Sequence, residues 1–247
     1  MLDERPAAAD PPFAVDCAPP FLTVRFAAPQ RTLGWSLLSP GFAVVNDVVW
    51  VEVRNADLGP STDPRAFLKA RLAERGLPGT LAFMTSRDIR RHHFSRRRVE
   101  GIAAACLTTV GLSNGERVGA RKACGRPHAG TINTLVHVSV PLGDGALVEA
   151  LSIVAEARTA AIIDSWRTER GPAVTGTGTD CIVVASPCRA SPYGACPHGG
   201  EPLAFAGLHT AVGEAIGGAV YDATLAGAEQ WDRDFPHQPP SAARPQS

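Results

Sequence analysis

The chain has 247 residues, 24 of them Lys or Arg and 24 Asp or Glu, and 45% are hydrophobic. That is enough apolar content for a core of ordinary globular size, and too much for an intrinsically disordered protein. A net charge of zero argues against a general polyanion binder, which carries a basic excess to displace counterions from phosphates.

The first residues, MLDERPAAADPP, mix charge with proline where a secretion signal carries an apolar stretch. No run reaches the ~20 apolar residues of a membrane-spanning helix. The six cysteines, at 17, 106, 124, 181, 188 and 196, form no C-x-x-C pair, which points to reduced thiols. These features together predict a cytoplasmic protein with no nucleic-acid or membrane partner; they leave its oligomeric state open.

Residues 1–20 and 233–247 are rich in Pro and Ala and are expected to be disordered tails around one domain over 21–232. Within it, alternating or β-branched apolar residues predict strands at 21–26, 32–38, 43–53, 80–84, 102–110, 132–140 and 181–185. Helical patterns cover 64–75, 146–166 and 210–225. The first is preceded by Ser61, Thr62 and Asp63 as caps, and the second has Leu147, Leu151, Val154, Ala161 and Ile162 on one stripe. In the third, Gly213 and Gly217 lie one turn apart, which predicts a close neighbour. Strands come first and mostly together, so the expected class is α+β, with mixed or antiparallel sheets and a few covering helices in a single domain.

Three segments combine small residues with short polar side chains beside a strand: GLSNGE (111–116), GTINT (130–134) and TGTGTD (175–180). Glycine lets backbone N–H groups approach a ligand, and Asn, Thr and Asp supply directional donors and acceptors, although the same residues also make ordinary turns. TGTGTD lacks the Lys-Ser/Thr ending of a phosphate loop and precedes a strand. In a fourth segment, GLHT (207–210), His209 lies just ahead of a helix N-terminus, where the dipole disfavours imidazolium; this reads equally as a neutral imidazole able to accept a proton or as a surface residue beside an N-cap Thr210. Glu156 shares a face with Glu149 on the second helix, the pattern of a solvated face unless a polar cavity meets it.

The order and wording of these segments resemble the adenosylcobinamide amidohydrolase family of corrinoid-salvage enzymes over about residues 80–224. The resemblance is carried by LTTVGLSN (107–114), GTINT (130–134), EAR (156–158), TGTGTD (175–180) and His209-Thr210 followed by Gly213-Glu214. It implies hydrolysis of the amide linking aminopropanol to the corrin ring, giving adenosylcobyric acid, with a small-molecule corrinoid as substrate. A corrinoid-binding protein that has lost catalysis is the alternative.

Amide hydrolysis needs an activated water or nucleophile, oxyanion donors and an acid for the leaving amine. Residue chemistry offers Asp180 or Glu156 as base and His209 as base or acid. Asn114, Thr131, Asn133, Thr177 and Thr179 are the expected substrate-binding residues and oxyanion donors. Thr177, Thr179 and the cysteines are weaker nucleophile candidates than water. A divalent metal held by Asp180, Glu156, His209 and Glu214 is left open, and Asn114, Asn133, Asp180 and His209 are expected to converge on one pocket. Cys188, Cys196 and His198 do not match a structural-zinc spacing. The six arginines of RDIRRHHFSRRR (87–98) are expected on a solvated surface.

Overall fold

The computed structural model describes residues 11–236 apart from 60, 121–129, 189, 192, 193 and 196–200. In chain order the elements are β1 (Ala14–Ala18), β2 (Phe21–Trp35), β3 (Gly41–Glu52), α1 (Pro64–Glu74), β4 (Leu81–Thr85), β5 (His92–Val99) and β6 (Ile102–Val110). They continue with β7 (Gly115–Glu116), β8 (Ile132–Val138), α2 (Asp144–Ser165), β9 (Gly176–Thr177), β10 (Cys181–Pro187) and α3 (Ala211–Asp234).

The 15-residue β2 organises the sheet, because it serves two neighbours in succession. Its first half pairs with β1, from Phe21↔Ala18 to Arg25↔Ala14, and its second half pairs with β10, from Gln30↔Pro187 to Trp35↔Ile182. Between them the register with β3 shifts, a bulge between Arg25 and Gln30 that bends the strand. The order is β4-β3-β2-β10-β8-β6-β5 with β1 beside β2. Two pairs are parallel, β3 with β4 and β8 with β10. Each needs a crossover, supplied by α1 and α2 respectively.

Burial shows how the bent sheet folds over itself. Leu22, Val24, Trp50 and Phe83 from the β2–β4 half pack against Leu107, Leu135 and Val183 from the β6–β8–β10 half. Outside the first half, Val49, Val51 and Ala82 meet Leu68 and Leu72 of α1. Outside the second half, Cys106, Val136, Val138 and Val184 meet Leu147, Val154, Ile216 and Val220 of α2 and α3. The result is a single domain of four layers, helix, sheet, sheet and paired helices, an α+β arrangement with a mixed sheet. Among the described residues no helix is long and apolar enough to cross a membrane.

Local chemistry sets the helix starts. Asp63 caps α1, accepting the Arg65 N–H at 2.9 Å with Pro64 in the first turn. Thr210 caps α3, accepting the Gly213 N–H at 3.0 Å. The α3 glycines are contact points: a Cβ at Gly227 would lie 2.5 Å from Val110 Cγ2, and one at Gly218 would lie 3.1 Å from Arg97 Cγ. Gly217, by contrast, has ordinary room beside Ile153.

The structure departs from the sequence reading in four places. Residues 14–18 form β1 inside the segment expected to be a tail, held by the ladder to β2. The separate strand expected at 32–38 is the second half of β2. Helix α3 continues to Asp234, because its glycines seat neighbours rather than ending it. The arginine-rich segment contains β5, paired along its length with β6. Arg97 and Arg98 are exposed as expected, but Arg87 is buried, donates to Asp234 at 2.5 Å and lies over the Trp231 ring. A guanidinium is buried only where a carboxylate and an aromatic face replace water.

Two histidines belong to the interior. His137 sits between Phe13 and Phe26, and burial, reinforced by Arg96, lowers its pKa to about 4. Burial and then Arg87 lower that of His93 to about 4 as well. Both are neutral in the fold, whereas the unfolded chain takes up their protons below about pH 6.5. Their stabilising contribution is therefore complete above pH 6.5 and lost as the pH falls towards 4. Chemical denaturation at pH 7 and pH 5 should show a smaller acid loss for His137→Phe than for the natural chain; equal losses would remove His137 from this role.

Candidate functional site

Strands β8 and β10 are parallel neighbours, so the loops preceding them open at the same sheet end. The antiparallel β6 finishes there too. Topology alone thus gathers the 111–116, 130–134 and 175–180 segments. Hydrogen bonds then lock them. Gly111 N donates to Thr131 O at 3.0 Å, and Gly178 N to Asn114 O at 3.3 Å. Thr131 Oγ1 donates to Thr179 O at 2.9 Å, and Thr179 Oγ1 to Gly130 O at 3.1 Å. The β7–β9 ladder joins Gly115 to Thr177. Packing is as tight as the bonding, since a Cβ at Gly130 would lie 2.5 Å from Ser113 Oγ.

Asp180 is the centre of this junction, with its side chain 7% exposed. Oδ1 accepts the Ile132 N–H at 2.9 Å and the Thr177 hydroxyl; Oδ2 accepts the Thr177 N–H at 2.9 Å and pairs with Arg158 Nη1 at 2.9 Å. The Asp180 carbonyl accepts the Trp35 indole N–H at 2.6 Å. Arg158 reaches in from α2, and the next residue, Thr159, donates to Thr175 O at 3.1 Å. A carboxylate with four donors on its lone pairs is well suited to holding loops in place and poorly placed to collect a proton.

Six of the expected site residues therefore meet: Asn114, Thr131, Asn133, Thr177, Thr179 and Asp180. Asn114 and Thr177 are half-buried and Thr179 is exposed. Thr131 and Asn133 are buried, and Asn133 Nδ2 donates to Met84 O of β4 at 2.9 Å, closing the two half-sheets on each other. The Cys181 thiol is pushed up to about 11 by burial and then by the Asp180 charge, so it is not a thiolate near neutrality.

His209 and Glu156 do not join them. His209 is exposed and follows the segment in which Leu203 O accepts the Gly143 N–H and Ala206 N donates to Glu149, beside the start of α2. Arg158, at the loop junction, lies 9 residues beyond Glu149 on that helix, roughly 14 Å at 1.5 Å per residue. The expected convergence of His209 with Asp180 is thus corrected by the direction of α2. Glu156 is exposed on α2 with no hydrogen bond or ion pair among the described residues. Glu214, in the first turn of α3, stays with His209, so the four groups weighed as metal ligands are not assembled. Among the described residues no three His, Cys, Asp or Glu side chains cluster as a metal site would require. Cys196 and His198 lie outside the described residues.

Three residues at the junction were not singled out from sequence. Arg158 was visible only as part of a motif, because nothing in spacing ties it to Asp180. Glu116, half-buried, has its Cγ 4.0 Å from where a Gly178 Cβ would stand. Trp35 ends β2 and is 42% exposed.

A family model described as adenosylcobinamide amidohydrolase matches residues 9–235. A protein of the same name from Halobacterium salinarum is 29% identical over 145 residues, 56% of each chain, so the match spans just over half of that relative's length. Two solved structures overlap at low similarity. They are the PH0078 protein of Pyrococcus horikoshii, at TM-score 0.40 and 12% identity over 84% of this chain and 76% of that one, and a Burkholderia β-aminopeptidase, at TM-score 0.40 and 11% identity over 89% and 87%.

The junction yields a stability prediction. Asp180→Asn leaves Arg158 buried without its counter-charge, and losing one member of a buried pair costs about 3 kcal/mol or more. Gly176→Ala should also destabilise, since its Cβ would lie 2.5 Å from Asp180 Oδ2. Urea denaturation checks both, and natural stability in Asp180→Asn would contradict the organising role of this carboxylate.

Proposed function

Because the chain belongs to the adenosylcobinamide amidohydrolase family, we propose that it hydrolyses the amide joining aminopropanol to a corrin-ring propionate, releasing adenosylcobyric acid and aminopropanol. The observation that carries this reading is the family match, which runs across the whole domain and takes in all three loops that meet at Asp180.

The junction is suited to the reaction by its division of labour. Asp180 and Arg158 fix the loop backbone, and with it the side-chain amide N–H groups of Asn114, before substrate arrives; the Thr177 and Thr179 hydroxyls are spent on Asp180 and the Gly130 carbonyl. Such fixed donors stabilise an oxyanion without reorganising in the transition state. Asp180 is then a positioning residue. The carboxylate proposed to activate water is Glu116, beside Gly178 on the same rim; the proton it accepts is returned to the departing aminopropanol nitrogen. His209, away from the rim, and Glu156, exposed on α2, are left out of the chemistry.

Incubating the purified protein with adenosylcobinamide and assaying cobyric acid and aminopropanol by mass spectrometry tests the reaction. Both products should accumulate in equal amounts; binding without turnover would leave a corrinoid-binding protein instead. Glu116→Gln should lower kcat roughly 100-fold or more, while His209→Ala stays within about twofold of the natural chain. The reverse pattern would return the proton transfer to His209.

A further inference from the structure

Beyond the rim, one face of the structure carries an apolar surface that the fold does not use. Strand β2 alternates, so Arg31, Leu33 and Trp35 share its helix-side face, and Leu33 is packed in the core beneath α2. Its β3 partners Phe42 and Val44 lie opposite Leu33 and Arg31 and therefore on that same face. Helix α2 covers β10 and stops short of β3, which leaves Phe42 52%, Val44 64% and Trp35 42% exposed. Val148, on the α2 flank one turn beyond Asp144, is 58% exposed. Large apolar side chains at adjacent positions on one face form a patch, unlike isolated exposed ones.

This shelf has a direction. At one end Arg31 is paired with Asp144 and lies 5.0 Å over the Phe42 ring. At the other end Trp35 is bonded to the Asp180 carbonyl. The shelf thus leads from a neutralised ion pair to the loop junction. Its charges are internally balanced at both ends, Arg31 by Asp144 and Arg158 by Asp180.

We propose that this shelf, formed by Trp35, Phe42, Val44 and Val148, seats the apolar face of the corrin macrocycle and presents the amide at the ring's edge to the Asp180 junction. The proposal rests on the hydrolase reading above. Adenosylcobinamide is a broad ring with a rim of neutral carboxamides; its adenosyl ligand caps one face, so the shelf seats the opposite one. A broad apolar floor without net charge matches the face, and the Arg31–Asp144 pair supplies a donor and an acceptor for the rim. The reacting amide hangs from that rim, so the chemistry belongs beside the shelf, which is where the junction lies.

Phe42→Ser with Val44→Thr tests the proposal, since both side chains are more than half exposed and their replacement leaves the core intact. The expected result is a KM for adenosylcobinamide, and a Kd measured by calorimetry, raised about tenfold or more, with melting temperature held. Natural KM and Kd in the double variant, with the natural enzyme active, would overturn the shelf and leave the hydrolase reading standing. Absence of both turnover and corrinoid binding in the natural protein would overturn both. The remaining occupant is a second copy pairing along residues 41–47 of β3, the stretch that β4 does not cover. It would show as a dimer in sedimentation that the double variant dissolves without a change in KM, and that result also overturns the proposal.

Discussion

Burying the Asp180 carboxylate sets a condition that the surrounding chain must satisfy. An ionised group taken out of water costs several kcal/mol unless charge and hydrogen bonds replace its hydration. Here the replacements come from separate stretches: the Ile132 N–H from the start of β8, the Thr177 N–H and hydroxyl from β9, and the Arg158 guanidinium from α2. None of these can move without exposing the others. The glycine at 176 follows from the same condition, because Arg158 and the carboxylate occupy the volume a side chain would need.

That condition can be met only because of the topology. A parallel pair such as β8 and β10 requires a crossover that returns over the sheet, and α2 is that crossover. Returning, it passes the strand ends again, which carries Arg158 from the far side of the fold to the place where both strands begin. The other half of the sheet arrives differently. The bulge in β2 folds β3 and β4 across the interior, until Met84 of β4 meets Asn133 at the same end.

Periodic segments were legible in the sequence. The span 102–110 and the helix from Pro64 coincide with β6 and α1, because alternation and capping are local signals that the fold reinforces. Strand β5 was not legible. Its sequence HHFSRRRV has little apolar alternation, and its pairing rests on the Ala-rich β6 and on Arg97 lying along Gly218 of α3. The three small-residue loops were recognisable as a group, yet the roles of their members depend on neighbours that spacing cannot reveal. Asp180 reads as a base until Arg158 is seen beside it, and the two are 22 residues apart.

The segment around His209 shows the same limit from the other side. A histidine before a helix suggests a poised base, but the segment has a structural task that accounts for its composition. Thr210 Oγ1 donates to Gly207 O at 2.8 Å and accepts the Gly213 N–H at 3.0 Å. Gly213 must lack a side chain because the Ala206 and Gly207 carbonyls lie against it. Glu149 accepts the Ala206 N–H at 2.5 Å, tying the turn to α2. The small residues at 207 and 213 thus begin a 24-residue helix whose far end, through Ala228 and Trp231, packs on Val110, Leu112 and Ile132 beneath the loop junction. The two ends of α3 are linked mechanically: a secure start near His209 fixes the platform on which the loops rest, so the small residues of this segment answer to the fold.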